Sequence, residues 1–330
     1  MSGMIYIETN STDPAFNLAF EEYILENRLS GDYLMLWQNA NAVVVGRNQL
    51  TAAEIDPDFV RKHNITVVRR MSGGGAVYHD LGNLNYSFIT DLGRAEELSI
   101  EKFARPVCAA LEKLGLRAEL SGRNDILAEG KKVSGVAQRI YKNRILHHGT
   151  LLFDSKPDMI AGALRADPEK FTSKSAKSVR SRVGNIRQLL PEDMGIDEFR
   201  QAILRELSGE GYESFSPTAA ELSAINRLAE EKYRSWAWNY GRSPAYGFEN
   251  SARFPGGRLQ ISMAVEEEII KAISFSGDYM ALADDAPAVR ALVGLPHERL
   301  AIEKALEELG GELALIFGSI SAAEIASAMF

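Results

Sequence analysis

The chain has 330 residues, 45% of them hydrophobic and 25% charged, with a net charge of −8. That length suits two domains, and the composition is typical of globular proteins. The acidic balance argues against a nucleic-acid partner, which requires a basic surface. The apolar runs are far shorter than the ~20 residues of a membrane helix, and we expect neither a membrane partner nor a signal peptide. Cys108 is the single cysteine, which excludes an intramolecular disulfide and predicts a cytoplasmic location.

The first part of the chain predicts short strands and amphipathic helices. Met4–Glu8 alternates as a strand does, and Asp13 followed by Pro14 predicts the start of a helix. Glu21 and Glu22 lie off the apolar stripe of that helix. Further strands are predicted at Tyr33–Trp37, Ala42–Val45, Thr66–Val68 and Leu84–Ile89. Ser99 is the expected cap of a helix to about Leu114, in which Pro106 predicts a kink or a late start.

The second part predicts strands first and helices later. Consecutive strands are expected from Asn124 to Phe153, and helices at Asp197–Leu207 and Thr218–Tyr233. Glycine and proline cluster at Tyr240–Gly257, which favours a boundary between a domain of residues 1–245 and one of residues 246–330. A hairpin, Arg258–Val265 with Ile269–Phe275, and helices follow. The expected fold class is α/β (α+β) with a small α+β C-terminal domain, not a Rossmann sheet.

The first segment whose residues suggest a chemical role is Arg69–Asp80, which contains two arginines and three consecutive glycines. Glycines allow close backbone approach and expose N–H donors, and the arginines add fixed positive charge. This combination suits a phosphate. It matches neither the Walker A spacing nor the dinucleotide fingerprint, so a plain β-turn stays an alternative.

The second segment, Ser121–Arg139, is typical of a hairpin with Gly130 in its turn. Lys131 and Lys132 open the return strand, and neighbouring strand residues face opposite ways, so at most one of them enters a site. The same rule separates His147 from His148 and makes them a poor metal pair. A solvated hairpin tip is the alternative for the lysines.

The third segment, Lys170–Pro191, has no acidic residue and six basic ones, interleaved with serine and threonine. This composition predicts a surface loop able to close over a polyanion, or simply a solvated basic loop. Nucleic-acid contact is disfavoured because no stacking aromatic residues are interleaved.

In this order the segments resemble the bacterial lipoate–protein ligase A family. Asp13–Ala19, Val45–Gln49, Ser178–Val183 and Ser235–Gly241 belong to the same pattern, which covers nearly all of residues 1–245. The resemblance implies a catalytic domain of the biotin/lipoate-ligase type, related in fold to class II aminoacyl-tRNA synthetase cores. It implies ATP and lipoate as substrates and Mg²⁺ as the metal. The acceptors would be apo lipoyl-domain proteins: 2-oxoacid dehydrogenase E2 subunits and the glycine cleavage H protein.

The resemblance also implies site residues. Lys132 matches the essential lysine, and the basic segment around Lys174–Arg182 matches the adenylate-binding loop. The expected ATP and adenylate contacts are Arg70, Gly75, Ala76, Val77, Tyr78, Asn124, Asp125, Lys132, Lys174 and Arg180. The expected lipoate contacts are Leu18, Trp37, Val45, Arg70, Ser72, His79, Lys132 and His148. Leu18, Trp37 and Val45 are equally suitable core residues, and His79 and His148 could be structural.

The implied reaction joins a carboxylate to the α-phosphate of ATP, and one ammonium group between these anions would hold both. We assign this role to Lys132. Asp125 could hold Mg²⁺, orient Lys132 or cap a turn. A transferase of the same fold would use a cysteine nucleophile, for which Cys108 on a helix stripe is badly placed. A biotin ligase would need an arginine–glycine-rich adenylate loop that has no counterpart here. A non-enzymatic binding module is disfavoured because it would not explain the presence of Lys132 and the glycine-rich turn.

Overall fold

The computed structural model describes residues 3–49, 51–93, 99–122, 124–164, 183–209, 211–240, 248–266 and 268–330. Within these ranges, short strands and helices alternate up to residue 240, and a three-stranded sheet with short helices follows. The mixed fold class predicted from the sequence is confirmed. The predicted boundary at residues 245 and 246 lies outside the described residues.

The strands are short, as the predicted pattern indicated. In chain order they are β1 (Met4–Ile7), β2 (Tyr33–Trp37), β3 (Ala42–Val45), β4 (Thr66–Arg69), β5 (Val77–His79), β6 (Asn83–Asp91), β7 (Ala118–Ser121), β8 (Asp125–Ala128), β9 (Lys131–Tyr141), β10 (Arg144–Leu152), β11 (Tyr212–Phe215), β12 (Phe248–Phe254), β13 (Gly257–Glu266) and β14 (Ile269–Gly277). The sequence did not predict β5, β7, β11 or β12.

The helices lie between these strands and after them. In chain order they are α1 (Pro14–Asn27), α2 (Thr51–Glu54), α3 (Pro57–Lys62), α4 (Ile100–Lys113), α5 (Pro157–Ala163), α6 (Ile196–Ser208), α7 (Ala219–Leu228), α8 (Trp236–Asn239), α9 (Ala286–Leu292), α10 (Arg299–Glu307), α11 (Gly311–Phe317) and α12 (Ala322–Ser327). A 3₁₀ turn at Ile186–Gln188 and a π-helical turn at Ala229–Tyr233 complete them.

Three sheets organise the described residues. The largest has the order β11-β1-β2-β6-β10-β9-β8-β7, in which β1 runs parallel to β2 and β11 and the other neighbours are antiparallel. The second sheet has the order β4-β3-β5, and the third, C-terminal one has the order β12-β13-β14. The predicted hairpin of β13 and β14 is confirmed.

Local signals account for where the main helices begin. The Asp13 side chain accepts the N–H of Ala15 at the start of α1, and Ser99 accepts the N–H of Lys102 at the start of α4. Both caps satisfy N–H groups that have no partner inside the helix. Helix α4 begins at Ile100 and includes Pro106, so the predicted late start is wrong.

The large sheet is covered on both faces. Helices α4 and α6 pack on one face through residues such as Phe103, Val107 and Phe199. Helix α1 packs on the other face, where Leu18 and Phe20 join a separate core with residues of β2 and β3. Because both faces are buried, neighbouring side chains of one strand enter two different environments. That alternation determines which side chains reach the site.

Candidate active site

A cavity of about 340 Å³ opens between the large sheet, the second sheet and the C-terminal region. Its walls come from α1, β2, β3, the glycine-rich turn before β5, strands β8–β10 and the residues after β14. The lining residues are Leu18, Trp37, Val44, Arg70, Gly74, Gly75, Ala76, Val77, His79, Asn85, Asn124, Asp125, Lys132, Gly135, Val136, Ala137, His148, Gly149, Thr150, Asp278 and Met280. Most of the predicted site residues therefore lie around one cavity.

Lys132 lies on the cavity wall, and its Nζ is 2.7 Å from Oδ1 of Asp125. Gly135 lies beside the ammonium group, since an added Cβ there would be in ordinary van der Waals contact with Nζ, at 3.7 Å. Lys131 is exposed and is not among the lining residues. The predicted split between the two lysines is confirmed, because successive strand residues face opposite ways.

Arg70 is buried and holds the glycine-rich turn together. Its Nε donates to Oγ of Ser72 (3.1 Å), and Nη1 donates to the carbonyl of Val44 (3.1 Å). Its Nη2 donates to the carbonyls of Gly73 (2.7 Å) and Gly75 (2.8 Å). Burial lowers the pKa of Arg70 to about 10, so the group stays charged at neutral pH. The guanidinium thus shapes the turn and also brings a positive charge to the cavity.

The C-terminal region closes one side of the cavity, which the sequence did not predict. Asp278 and Met280 line it, and the carbonyl of Tyr279 accepts the N–H of Gly74 at 3.2 Å. We had expected the glycine N–H groups to be free for a phosphate, and for Gly74 this is wrong. Gly73 permits the approach, since an added Cβ would lie 2.6 Å from the nitrogen of Ala281.

His148 belongs to a buried hydrogen-bonded chain behind the cavity wall. Its Nε2 lies 2.6 Å from Oγ of Ser72, and its Nδ1 lies 2.9 Å from Oε1 of Glu21. Ser87 donates its hydroxyl to the same carboxylate oxygen (2.6 Å), and Trp37 donates its indole N–H to Ser87 (2.9 Å). Glu21 therefore holds the imidazole and the indole in place, although the sequence put it on the polar side of α1. Ser72 lies behind His148 and is not among the lining residues.

The apolar part of the cavity wall includes Leu18, Trp37 and Val44. Val45, the predicted contact, is fully buried in the core around the second sheet instead. Val44 takes that position on the cavity wall, because neighbouring residues of a strand face opposite ways. The Tyr78 side chain also packs in that core and donates to Asn41 at 2.9 Å, away from the cavity.

Comparison with known proteins agrees with this geometry. The family model described as the lipoyl protein ligase A/B catalytic domain matches residues 13–208, and that of the bacterial lipoate protein ligase C-terminus matches residues 243–329. The chain is 43% identical to lipoate–protein ligase 1 of Staphylococcus aureus, over 98% of each chain. It belongs to the lipoate–protein ligase family.

Two solved structures of the family have a similar fold. The bipartite lipoate protein ligase of Thermoplasma acidophilum, studied with its E2 lipoyl domain, is 30% identical and has a TM-score of 0.65, covering 75% of this chain and 100% of that one. A lipoate–protein ligase A bound with ATP is 29% identical and has a TM-score of 0.62, covering 73% of this chain and 99% of that one. Lys132 and the glycine-rich turn fall within the matched catalytic region of the family.

Several predicted features of this ligase-family chain lie outside the described residues. Lys174, Arg180 and most of the basic segment are among them. At the other end of that segment, Arg187 is described and pairs with Asp154 and Asp193, so it is not offered to the cavity.

The described residues of the chain offer few possible metal ligands. No group of three or more histidine, cysteine or acidic residues there is placed to hold a metal ion. Two carboxylates, Asp125 and Asp278, do line the cavity. Mg²⁺ commonly binds through one or two carboxylates together with substrate phosphates, so these residues fit a nucleotide-borne ion and not a closed metal site.

Cys108 is buried in the core between α4 and the large sheet, away from the residues that line the cavity. Burial raises the pKa of its thiol, so the thiolate is disfavoured. This position agrees with the prediction that Cys108 on a helix stripe is badly placed to act as a nucleophile.

Two buried histidines should make the stability of this family member depend on pH. Asn39 donates its amide to Nδ1 of His79, and Gln138 does the same for His147. Burial lowers the pKa of each ring from 6.5 to about 3. Below about pH 6.5 the unfolded chain therefore binds protons on these two rings that the folded state does not bind. As the pH falls through this range, the free energy of unfolding should decrease by up to about 1.4 kcal/mol per pH unit for each ring.

Urea unfolding at pH 7.5, 6.5, 5.5 and 4.5 measures this dependence. His147→Gln should show a shallower fall than the wild type, even though losing the stacking of His147 on Phe103 (ring centroids 4.9 Å apart) lowers its stability at pH 7.5. Equal slopes for the two proteins would show that His147 does not stay neutral in the folded state.

Proposed function

We propose that this chain activates lipoate with ATP to lipoyl-AMP and transfers the lipoyl group to a lysine of an apo lipoyl-domain protein. The observation that carries the proposal is the position of Lys132. Its ammonium group lies on the wall of a cavity that also has a glycine-rich turn, a buried arginine and an apolar wall. A cavity of this kind suits an acid with an apolar tail together with a phosphate.

In the first half-reaction, a carboxylate oxygen of lipoate attacks the α-phosphorus of ATP, and pyrophosphate leaves. Both reactants are anions, so their repulsion opposes the approach. Lys132 would lie between them, hold both in line and stabilise the added charge on phosphorus. Arg70 adds a second positive charge that its own hydrogen bonds keep in place.

The lipoate tail would run from Lys132 along β9 toward Leu18, Trp37 and His148. Ala137 pairs with His148 in the register of β9 and β10. Without the bulged Val133, four ladder steps of ~3.3 Å separate Lys132 from Ala137. The distance of roughly 13 Å leaves room for an extended acyl chain. Lys132 at one end and the apolar wall at the other thus match the two ends of lipoate.

In the second half-reaction, the neutral amine of the acceptor lysine attacks the carbonyl carbon of lipoyl-AMP. An amide bond forms, AMP leaves and the amine gives up a proton. Lys132 would then stabilise the phosphate of the departing AMP. Removal of the Lys132 charge should therefore slow both half-reactions.

Mg²⁺ would neutralise phosphate charge when it arrives with the nucleotide. Asp125 and Asp278 are the cavity carboxylates that could hold it. Asp125 also pairs with Lys132, so the orienting role left open by the sequence is compatible with this geometry. Asp125 as a Mg²⁺ ligand stays a prediction.

The partners and the domain division belong to the same proposal. Relatives of the family include a ligase studied with its E2 lipoyl domain, which supports E2 subunits as acceptors. The glycine cleavage H protein is the second acceptor that we propose. Within the described residues, no helix has the length and apolar character to span a membrane. We place the reaction in the cytoplasm, and the catalytic domain at residues 1–245 with the accessory domain at 246–330.

A mass-shift assay tests the proposal directly. Purified protein, ATP, Mg²⁺, lipoate and an apo E2 lipoyl domain or apo H protein should give an acceptor whose mass rises by one lipoyl group. Omitting ATP or replacing lipoate with biotin should give no shift. The related transferase activity would instead move an acyl group from a carrier protein without ATP. ATP–pyrophosphate exchange that does not respond to lipoate would refute the ligase assignment.

A further inference from the structure

The main chain of Lys132 is held on both edges. On one edge β8 pairs with β9, with Leu127 opposite Lys132. On the other edge, β10 pairs with β9 only as far as Val136. Val183 forms a parallel bridge with Lys132 there, and the N–H of Gly184 donates to the carbonyl of Lys132 at 2.9 Å. A short extended segment therefore takes the place that β10 leaves open.

This segment is fixed from behind. The Asn185 amide donates to the carbonyl of Ser155 (2.8 Å) and accepts its N–H (3.0 Å). Ile186 is fully buried in the core beneath the large sheet. The N–H of Arg187 donates to the carbonyl of Phe153 at 3.0 Å. These contacts hold the segment in place, and with it the Gly184 N–H that donates to Lys132.

Strand β9 needs such a support at this point because its pairing is irregular. Ile126 pairs with Ser134 and Leu127 with Lys132, so Val133 is an extra residue in β9. A bulge of this kind interrupts the ladder and changes the direction of nearby side chains. With β8 alone, the position of Lys132 would depend on a distorted pair of strands.

Gly184 is the residue that permits the contact. A Cβ added there would lie 2.9 Å from both Cβ and Cδ of Lys131. Such a contact is too close, and the Cβ of Lys131 belongs to the strand and cannot turn away. Any larger residue at position 184 would push the segment off β9 and lengthen the hydrogen bond to Lys132.

We propose that Val183 and Gly184 act as positioning residues that set the place of the Lys132 ammonium group. The inference rests on the proposed role of Lys132 in adenylate formation. A reacting group that moves by about 1 Å can lose roughly 100-fold in rate, while substrate binding changes far less. The segment therefore acts on the chemical step and not on the affinity for substrates.

The test compares Gly184→Ala with Gly195→Ala in lipoate-dependent ATP–pyrophosphate exchange. Gly195 caps α6, and an added Cβ there would meet no atom of the described residues within 4 Å. Gly184→Ala should lower kcat by about 10–100-fold and leave the KM values for ATP and lipoate within about threefold. Gly195→Ala should behave as the wild type. Asn185→Ala, which removes the support, should lower kcat in the same way.

The double variant Lys131→Gly/Gly184→Ala removes the predicted clash between the two side chains. Its kcat should therefore be close to that of Lys131→Gly alone, so that most of the kcat lost in Gly184→Ala is recovered. Hydrogen exchange adds a readout without activity, in which the Gly184 amide should be protected in the wild type. An unprotected amide, a wild-type kcat in Gly184→Ala or no recovery in the double variant each overturn the inference. A wild-type enzyme without lipoate-dependent exchange would instead overturn the proposed function.

Discussion

Lys132→Ala should fold normally and lose lipoate-dependent ATP–pyrophosphate exchange by about 100–1000-fold, the usual effect of removing one group that stabilises transition-state charge. The loss should lie in kcat, because the ammonium group is proposed to act most strongly when charge accumulates on phosphorus. The same variant should be unable to lipoylate an acceptor. Exchange is measured with radiolabelled pyrophosphate, and acylation by mass.

The fold should survive because Lys132 lies at the edge of an open cavity. Its side chain is 38% exposed and that of Asp125 is 33% exposed, and such a pair contributes at most about 1 kcal/mol. Lys131→Ala is the matched control, since it removes the neighbouring lysine from the exposed side of β9. A Lys132→Ala enzyme with normal exchange would remove the basis of the proposed mechanism, whereas loss of exchange in both variants would point to damage of the hairpin.

The sequence predicted best which of two neighbouring strand residues faces the cavity. Lys132 and His148 face the cavity while Lys131 and His147 do not, because side chains alternate across a strand whatever its tertiary surroundings. The choice of Val45 as a lipoate contact did not rest on this rule, and Val44 lies on the cavity instead. A four-residue strand that is buried on both faces gives no polar residue to indicate which side faces the cavity.

Glu21 illustrates what the sequence could not predict. It lies off the apolar stripe of α1, which is typical of a solvated carboxylate, yet it is fully buried. Its partners Ser87 and His148 come from β6 and β10, far along the chain. Burial of a carboxylate depends on such long-range partners, and a helical pattern carries no information about them.

The C-terminal contribution was missed for the same reason. Asp278 and Met280 follow a strand of an unremarkable hairpin, and they line the cavity only because the turn at Gly73 and Gly74 receives the carbonyl of Tyr279. The glycines were recognised, but they were assigned to phosphate contact alone. A glycine that is needed for close approach of a protein backbone has the same appearance in the sequence as one that is needed for a ligand.

Arg70→Met should lose both stability and activity. The guanidinium donates to the carbonyls of Val44, Gly73 and Gly75 and to the hydroxyl of Ser72. Methionine fills part of the volume but leaves buried acceptors without a donor, at about 1–3 kcal/mol each when unrelieved. We expect a loss of about 3–5 kcal/mol in the free energy of unfolding, because part of the turn can relax.

The activity should fall by more than the stability loss explains, since the turn carries Gly75, Ala76 and Val77 on the cavity wall. Arg70→Lys keeps a charge but has no planar fork for several carbonyls, so it should be intermediate in both properties. Arg61→Met is the matched control, because that side chain is 80% exposed and pairs with the equally exposed Asp58 on the same helix. Urea unfolding and pyrophosphate exchange at a temperature where all variants are folded separate the two effects. If Arg70→Met unfolded at the wild-type urea concentration, the guanidinium would not be what holds the glycine-rich turn in shape.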